Sequence, residues 1–355
     1  MNLVLLGYPY TKRTEYFLKA AADLKTPLRF VQGPSFTPSL KNEGVNEGIS
    51  DAGFDFSQLE DSVVKVDPPL LSCHIGSVNG DISRYIKFLH KLQQCRRVRL
   101  LNSSCALEET LDKFACKQRL EKGGLPVTPA LANTDPSKPD DSEKITSASQ
   151  LNKLMIKKKN YSVFIKPRYG SASAGVIAYR LNPRTGENMI ETSAVIKEGS
   201  LVNTKKLRKI KDQPAINSIV SQVLCAGAII ESWIPKASYN GKAYDLRAVF
   251  QFGRLEYLLA RQSSGAITNL HLNNNALPIE KLNLSPACTA KLETLCSNAA
   301  SQFPGLNVAG FDILLRKDGE AMIIEINGQG DLIHHDIYAE NRIYKAQIRA
   351  MKNLL

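Results

Sequence analysis

Gly310-Phe311-Asp312-Ile313-Leu314-Leu315 and Ile323-Ile324-Glu325-Ile326-Asn327-Gly328 read as two apolar strands joined by the turn Lys317-Asp318-Gly319-Glu320, a hairpin signal. Side chains alternate across a strand, so Glu325 and Asn327 share one face while Ile324 and Ile326 share the other. Asp312 lies among apolar neighbours on the partner strand. An unpaired acid there is costly, so a cation should stand beside it. Three oxygen donors converging from paired strands suit Mg²⁺, or Mn²⁺ in its place. A structural salt bridge from Lys or Arg is the competing reading.

Upstream, Phe164-Ile165-Lys166-Pro167-Arg168-Tyr169 runs through Gly170-Ser171-Ala172-Ser173-Ala174-Gly175 to Val176. A strand delivers a lysine, and a loop of small residues then lets backbone N–H groups approach an anion. No Gly-Lys-Ser/Thr ends this loop and no helix follows it, so it is not a Walker loop. Ala228-Ile229-Ile230-Glu231-Ser232-Trp233-Ile234-Pro235 is a strand broken at proline, with the only tryptophan at the break. Such a strand end can hold a flat base, although core packing explains the tryptophan equally well. In Tyr244-Asp245-Leu246-Arg247 the acid and the arginine share a strand face, and Arg261 ends the expected hairpin partner. Two arginines near a cation site suit a transferring phosphoryl group or an anionic intermediate. Asn269 follows in a polar loop.

The first hundred residues alternate strand and helix patterns: strands at Asn2–Gly7, Leu28–Val31 and Val98–Leu101, helices at Thr14–Leu24 and Ser83–Leu92. That alternation predicts an open α/β layer. Residues 33–60 and Pro136–Glu143 read as loops. One helix is expected over Leu107–Leu120, a basic helix around Thr204–Lys211, and a closing helix over Ile337–Leu354. A further helix is expected over Ser149–Lys158, and the stretch after it is mainly β. The seven cysteines are scattered, without a Cys-x-x-Cys pair, which predicts reduced thiols in a cytoplasmic protein. No apolar run reaches the roughly 20 residues of a membrane helix, and Met1–Leu6 reads as a first strand rather than a leader.

The ordered set is more specific than any member. Asp112-Lys113 with Gly-Leu-Pro-Val-Thr-Pro after it, Ile-Lys-Pro with its small-residue loop, Glu-Ser-Trp-Ile, Asp-Leu-Arg, Asp312 and Glu325-Ile-Asn327 together resemble the ATP-grasp superfamily. The ribosomal-protein glutamate ligase and glutathione synthetase branch is the most similar. The resemblance implies an α/β (α+β) ATP-grasp fold in three parts: a pre-ATP-grasp α/β domain over residues 1–106, a central lid over 107–231, and a C-terminal subdomain over 232–355. It implies ATP and Mg²⁺ as cofactors. Lys113 and Lys166 would contact phosphates, with Ser171 and Ser173 in the flap. Glu231, Ser232, Trp233 and Ile234 would form the adenine hinge, Asp245 the ribose acid, and Asn269 a neighbour of the γ-phosphate. Arg247 and Arg261 would face phosphates or an acylphosphate, and Asp312, Glu325 and Asn327 would hold the metal. Ala172 and Ala174 replace glycines common in the family flap, and the loop from Gly328 through His334 and His335 departs from the family pattern.

The implied activity is ATP-dependent carboxylate–amine ligation through an acylphosphate. Phosphoryl transfer to a hydroxyl and nucleotide binding without turnover are the alternatives. The chain carries 46 Lys+Arg against 34 Asp+Glu, a net +12, and residues 151–213 hold 14 of the basic and 4 of the acidic residues. This concentration predicts either a solvated basic face or an acidic substrate drawn to the lid. No basic motif interleaved with aromatics supports nucleic acid. For the substrate, the loop Gly7–Arg13 and the stretch His74–Arg84 are candidates, with Arg84 placed to hold a carboxylate.

Overall fold

The computed structural model describes residues 1–37, 53–135, 145–272 and 274–354; the expected loop Pro136–Glu143 and part of the 33–60 loop lie outside them. The N-terminal layer runs β1 (Asn2–Gly7), α1 (Lys12–Asp23), β2 (Arg29–Gln32), β3 (Ser62–Val66), α2 (Val78–Gln94) and β4 (Arg99–Leu100). Its four strands are parallel and ordered β2-β1-β3-β4. Apolar residues on both strand faces put helices on both sides. Phe17 of α1 packs with Leu3 and Leu5, and Tyr85 and Leu89 of α2 pack with Val4 and Leu6.

Two helices follow, α3 (Ser104–Leu111) and α4 (Lys113–Lys122), where the sequence predicts one. Asp112 takes an extended conformation and its side chain accepts from the backbone N–H groups of Phe114 and Ala115. An aspartate that caps the following turn competes with helix continuation. The break places Lys113 at the start of α4.

The second sheet comprises β5 (Ala130–Thr134), β6 (Ser162–Pro167), β7 (Ile177–Leu181), β8 (Asn188–Lys197), β9 (Ser200–Ile210) and β10 (Ala228–Ser232), ordered β5-β10-β6-β7-β8-β9 with antiparallel neighbours. Helices α5 (Ala148–Lys157) and α6 (Gln213–Cys225) cover one face through Leu151, Met155, Ile216 and Val220. The expected helix at Thr204–Lys211 is instead the edge strand β9. Its like charges would crowd a helix face three and four residues apart. In the strand they spread to solvent, and Lys209 lies across from Glu191 of β8.

The third sheet comprises β11 (Ser238–Tyr239), β12 (Lys242–Gln251), β13 (Arg254–Ser263), β14 (Asn275–Pro278), β15 (Val308–Leu315) and β16 (Ala321–Asn327), backed by α7 (Pro286–Ala300). The path β14-β13-β12-β15-β16 is antiparallel throughout, and β11 pairs with β12. The expected closing helix is split into α8 (His334–Tyr338) and α9 (Arg342–Asn353). The Asp336 carboxylate accepts from the N–H groups of Arg342 and Ile343, capping α9 across the break. Tyr344, Ile348 and Met351 of α9 return to Phe17 and Leu5, joining the chain's end to the N-terminal layer.

Candidate active site

The registers of the third sheet assemble the site. Asp245 and Arg247 share a face of β12 because they are two residues apart. Arg261 of β13 lies opposite Asp245, Asp312 of β15 lies opposite Arg247, and Glu325 of β16 lies opposite Asp312. Two adjacent acids across a ladder repel, and the arginines offset this. Arg247 Nη1 donates to Asp312 Oδ1 at 2.5 Å, and Arg261 Nη2 reaches Asp312 Oδ2 at 3.0 Å. Burial would raise the Asp312 carboxyl, but Arg261 and Arg247 outweigh it and hold it down at about 2. Gly310 leaves room for this packing, since a Cβ there would lie 2.7 Å from the Arg247 guanidinium carbon.

These groups face a cavity of about 540 Å³ between the second and third sheets, with helix and loop residues of the N-terminal layer at one end. The strand order brings Lys113, Lys166, Ser171, Ser173, Glu231, Ser232, Ile234, Asp245, Arg247, Arg261, Asn269, Asp312, Glu325 and Asn327 to its walls. Trp233 is not among them. Its ring packs 4.9 Å from Phe164 with the Arg180 guanidinium 4.3 Å above it, and its backbone N–H donates to the Ser162 carbonyl. Strand pairing thus turns Trp233 away and leaves Ser232 and Ile234 on the cavity side.

The small-residue loop lies over this cavity. Lys113 Nζ donates to the Gly170 carbonyl at 2.6 Å, and Asn269 Nδ2 donates to Ser173 Oγ at 2.7 Å. Ala172 and Ser173 adopt φ of 55° and 59°, left-handed conformations that cost residues with a Cβ energy. The alanine that departs from the family flap therefore stores strain where the loop is pinned down. Lys113 also stands 3.4 Å from Glu325 Oε1.

Glu231 anchors a second charged group. Its carboxylate receives Lys166 at 2.6 Å, Lys117 at 2.9 Å and the Thr128 hydroxyl at 2.8 Å. Burial favours the neutral acid, yet Lys166 and Lys117 hold it down at about 2. Two ammoniums on one carboxylate leave an excess positive charge beside the cavity, which favours an anionic ligand. Asp245 is engaged on every side: by Arg261 Nε at 2.8 Å, by Lys236 at 3.1 Å and by the Thr268 hydroxyl. Its evident part is to aim Arg261 at Asp312. Lys117, Lys236 and Thr268 carry no motif, and only the long-range registers reveal them. Arg84 is not on the cavity wall; it donates to the Phe36 carbonyl and to Asp81.

Asp312, Glu325 and Asn327 offer oxygens only, the donor chemistry of Mg²⁺ or Mn²⁺. The Asn327 amide stands 3.2 Å from both Glu325 Oε1 and Arg247 Nη1. With its nitrogen toward Glu325 both contacts are hydrogen bonds, and with its oxygen there it adds a neutral donor beside the carboxylate. Among the described residues no cluster of three His, Cys, Asp or Glu could hold a metal. Two carboxylates and one amide oxygen would be few protein ligands, leaving positions to phosphate and water as Mg²⁺ prefers.

Residues 139–352 match the YheC/D-like ATP-grasp family, more than half of the chain. The chain belongs to the YheC/D-like ATP-grasp family. No curated protein matches it by sequence. Among solved structures, the ATP-grasp fold recurs in the D-cycloserine synthetase DcsG at TM-score 0.61 and 12% identity, covering 99% of this chain and 100% of that one. It recurs in the ADP complex of purK, N5-carboxyaminoimidazole ribonucleotide synthetase, at 0.60 and 13%, covering 99% and 77%. The macrocyclase MdnC of Microcystis aeruginosa MRC, bound with precursor peptide MdnA, gives 0.57 and 12%, covering 99% and 100%. Among the described residues no helix of this ATP-grasp chain is long and apolar enough to cross a membrane.

Proposed function

We propose that this ATP-grasp protein is an ATP-dependent carboxylate–amine ligase working through an acylphosphate. The observation that carries the reading is the single sheet face on which Arg261, Asp245, Arg247, Asp312 and Glu325 line up beneath the pinned flap. Family membership and neighbours titled synthetase and macrocyclase support it. Residues 107–231 act as the lid and 232–355 as the base of the nucleotide site.

Ser232 and Ile234 border the base, while Lys113, Lys166 and the flap N–H groups hold the phosphates. Asp312, Glu325 and Asn327 would hold Mg²⁺, which would supply neutralisation of phosphate charge. Arg247 and Arg261 seat the substrate carboxylate in line with the γ-phosphorus. A carboxylate oxygen bonds to that phosphorus as its bond to the bridging oxygen breaks, giving ADP and the acylphosphate. A neutral amine then adds to the acyl carbon, and the arginines steady the oxyanion. Collapse expels phosphate, and the nitrogen's proton leaves to solvent. The flap excludes water that would otherwise hydrolyse the acylphosphate.

The test is an ADP-release screen of amino acids and short peptides with γ-labelled ATP. Ligation predicts the label in free phosphate together with a product lighter than its two substrates by one water. Label retained on the product would mean a kinase, and nucleotide binding without ADP across the screen would mean a regulator.

A further inference from the structure

The cavity extends past Arg247 to Arg13, Pro68, Pro69 and Leu71 of the N-terminal layer and to His335. This end lies off the carboxyl ends of β1 and β3. The chain passes from β1 to β2 on one side and returns to β3 on the other, so β1 and β3 straddle the point where strand order reverses. In open parallel sheets that point forms a crevice in which ligands bind.

Arg13 stands at this crevice with its Nη1 donating to the Asp331 carboxylate, which is 2% exposed and also receives Lys65 at 3.0 Å. Among the described residues Asp331 is the only acceptor that meets Arg13. A guanidinium presents five N–H donors in a planar fork, so most of them remain for a ligand in the cavity. The neighbouring residue holds the other arginine: the Gly330 carbonyl accepts from Arg247 Nη2 at 3.2 Å. Two cavity-lining guanidiniums are thereby fixed to consecutive residues of one loop. The loop is itself fastened, since Gln329 Nε2 donates to the Val66 carbonyl at 2.8 Å and to the Tyr85 hydroxyl at 2.9 Å.

We propose that Arg13 reads a second anionic group on the carboxyl substrate. That substrate is then a dicarboxylate, including acidic amino acids and peptides that carry an acidic side chain besides a free C-terminus. Its reacting carboxylate meets Arg247 and Arg261 while the other meets the Arg13 fork. The inference rests on the ligase reading for which carboxylate reacts, but the anion site itself is separately measurable.

The experiment is calorimetric titration of the full chain, loaded with Mg²⁺ and a non-hydrolysable ATP analogue. The probes are succinate, glutarate and glutamate, set against butanoate and pentanoate. The probes with two carboxylates should bind at least about tenfold tighter than the one-carboxylate acids of equal length. Arg13→Met should lower dicarboxylate affinity by about 10- to 100-fold, the worth of a charge-assisted hydrogen bond, without changing nucleotide affinity. Arg13→Lys keeps a charge for Asp331 and so guards against misfolding, yet should lose most of the preference with the fork. Equal binding of mono- and dicarboxylates, no dicarboxylate binding, or a preference that survives both variants would overturn the proposal. Hydroxamate formation with hydroxylamine, read on the same acids, separates the two ideas. Arg13-dependent dicarboxylate binding without hydroxamate or ADP would remove the ligase reading and leave the anion site. Hydroxamate from monocarboxylates alone would remove the anion site and leave the ligase.

Discussion

Glu325→Gln is expected to lower the rate of ADP formation by about a thousandfold, roughly 4 kcal/mol of transition-state stabilisation. The substitution keeps the side chain's shape and removes one of the two carboxylates in the proposed metal set, Asp312 being the other. The Mg²⁺ concentration for half-maximal rate should rise at least about tenfold. Folding should barely respond. Glu325's ion pair is a 3.4 Å contact with Lys113 at the cavity wall, and a partly exposed pair of this kind is worth about 1 kcal/mol or less. Thermal melting would show this as an unchanged transition beside a lost activity. A variant that forms ADP at the parental rate would remove Glu325 from the metal site.

Glu231→Gln should instead act on folding, lowering the chain's stability before any question of rate arises. The parent carboxylate is 2% exposed and neutralises Lys166 and Lys117. Gln would leave two buried ammoniums uncompensated, at a cost of about 3–5 kcal/mol. The pH dependence has a definite sign. The folded carboxyl is held at about 2 against an ordinary value of 4.5. Its contribution is therefore complete above about pH 4.5 and lost as pH falls toward 2. The depressed Asp312 acts in the same direction, its contribution complete above about pH 3.8 and lost as pH falls toward 2. Linkage gives about 3 kcal/mol for the Glu231 shift alone. Urea denaturation of parent and variant between pH 7 and pH 3 would show it: the parent's stability should fall faster than the variant's below pH 4.5. Parallel curves would contradict the assignment.

The hairpin Val308–Leu315 with Ala321–Asn327 was legible because its pattern is short-range: apolar alternation, a tight turn and an acid out of place. The order of motifs along the chain carried the ATP-grasp resemblance for a similar reason, as each motif is a local run. What stayed hidden depends on distance. Nothing near Asp245 shows that it is shared by Lys236, Thr268 and Arg261, because β-strand register sets those meetings. Likewise Lys117 looks like any helix lysine until Glu231, far along the chain, arrives beside it. Thr204–Lys211 misled because Leu207 and Ile210 mimic helical spacing, while pairing with β8 settles the strand. Asp112 and Asp336 each interrupt an expected helix by capping the one that follows, a choice that periodicity alone does not reveal.

The basic concentration in residues 151–213 also gains a location. Lys206, Arg208 and Lys209 lie exposed on the edge strand β9, outside the cavity wall. Off the cavity wall, they form a solvated basic face whose field salt would screen.

The most direct measurement of the account is oxygen transfer. A carboxylate that supports ADP release, labelled with ¹⁸O in both carboxyl oxygens, is turned over with unlabelled ATP and an amine. An acylphosphate route predicts that each released phosphate carries one ¹⁸O, because the bond formed to phosphorus is made by a substrate carboxylate oxygen. Phosphate free of ¹⁸O, with ADP and ligated product still formed, would contradict it.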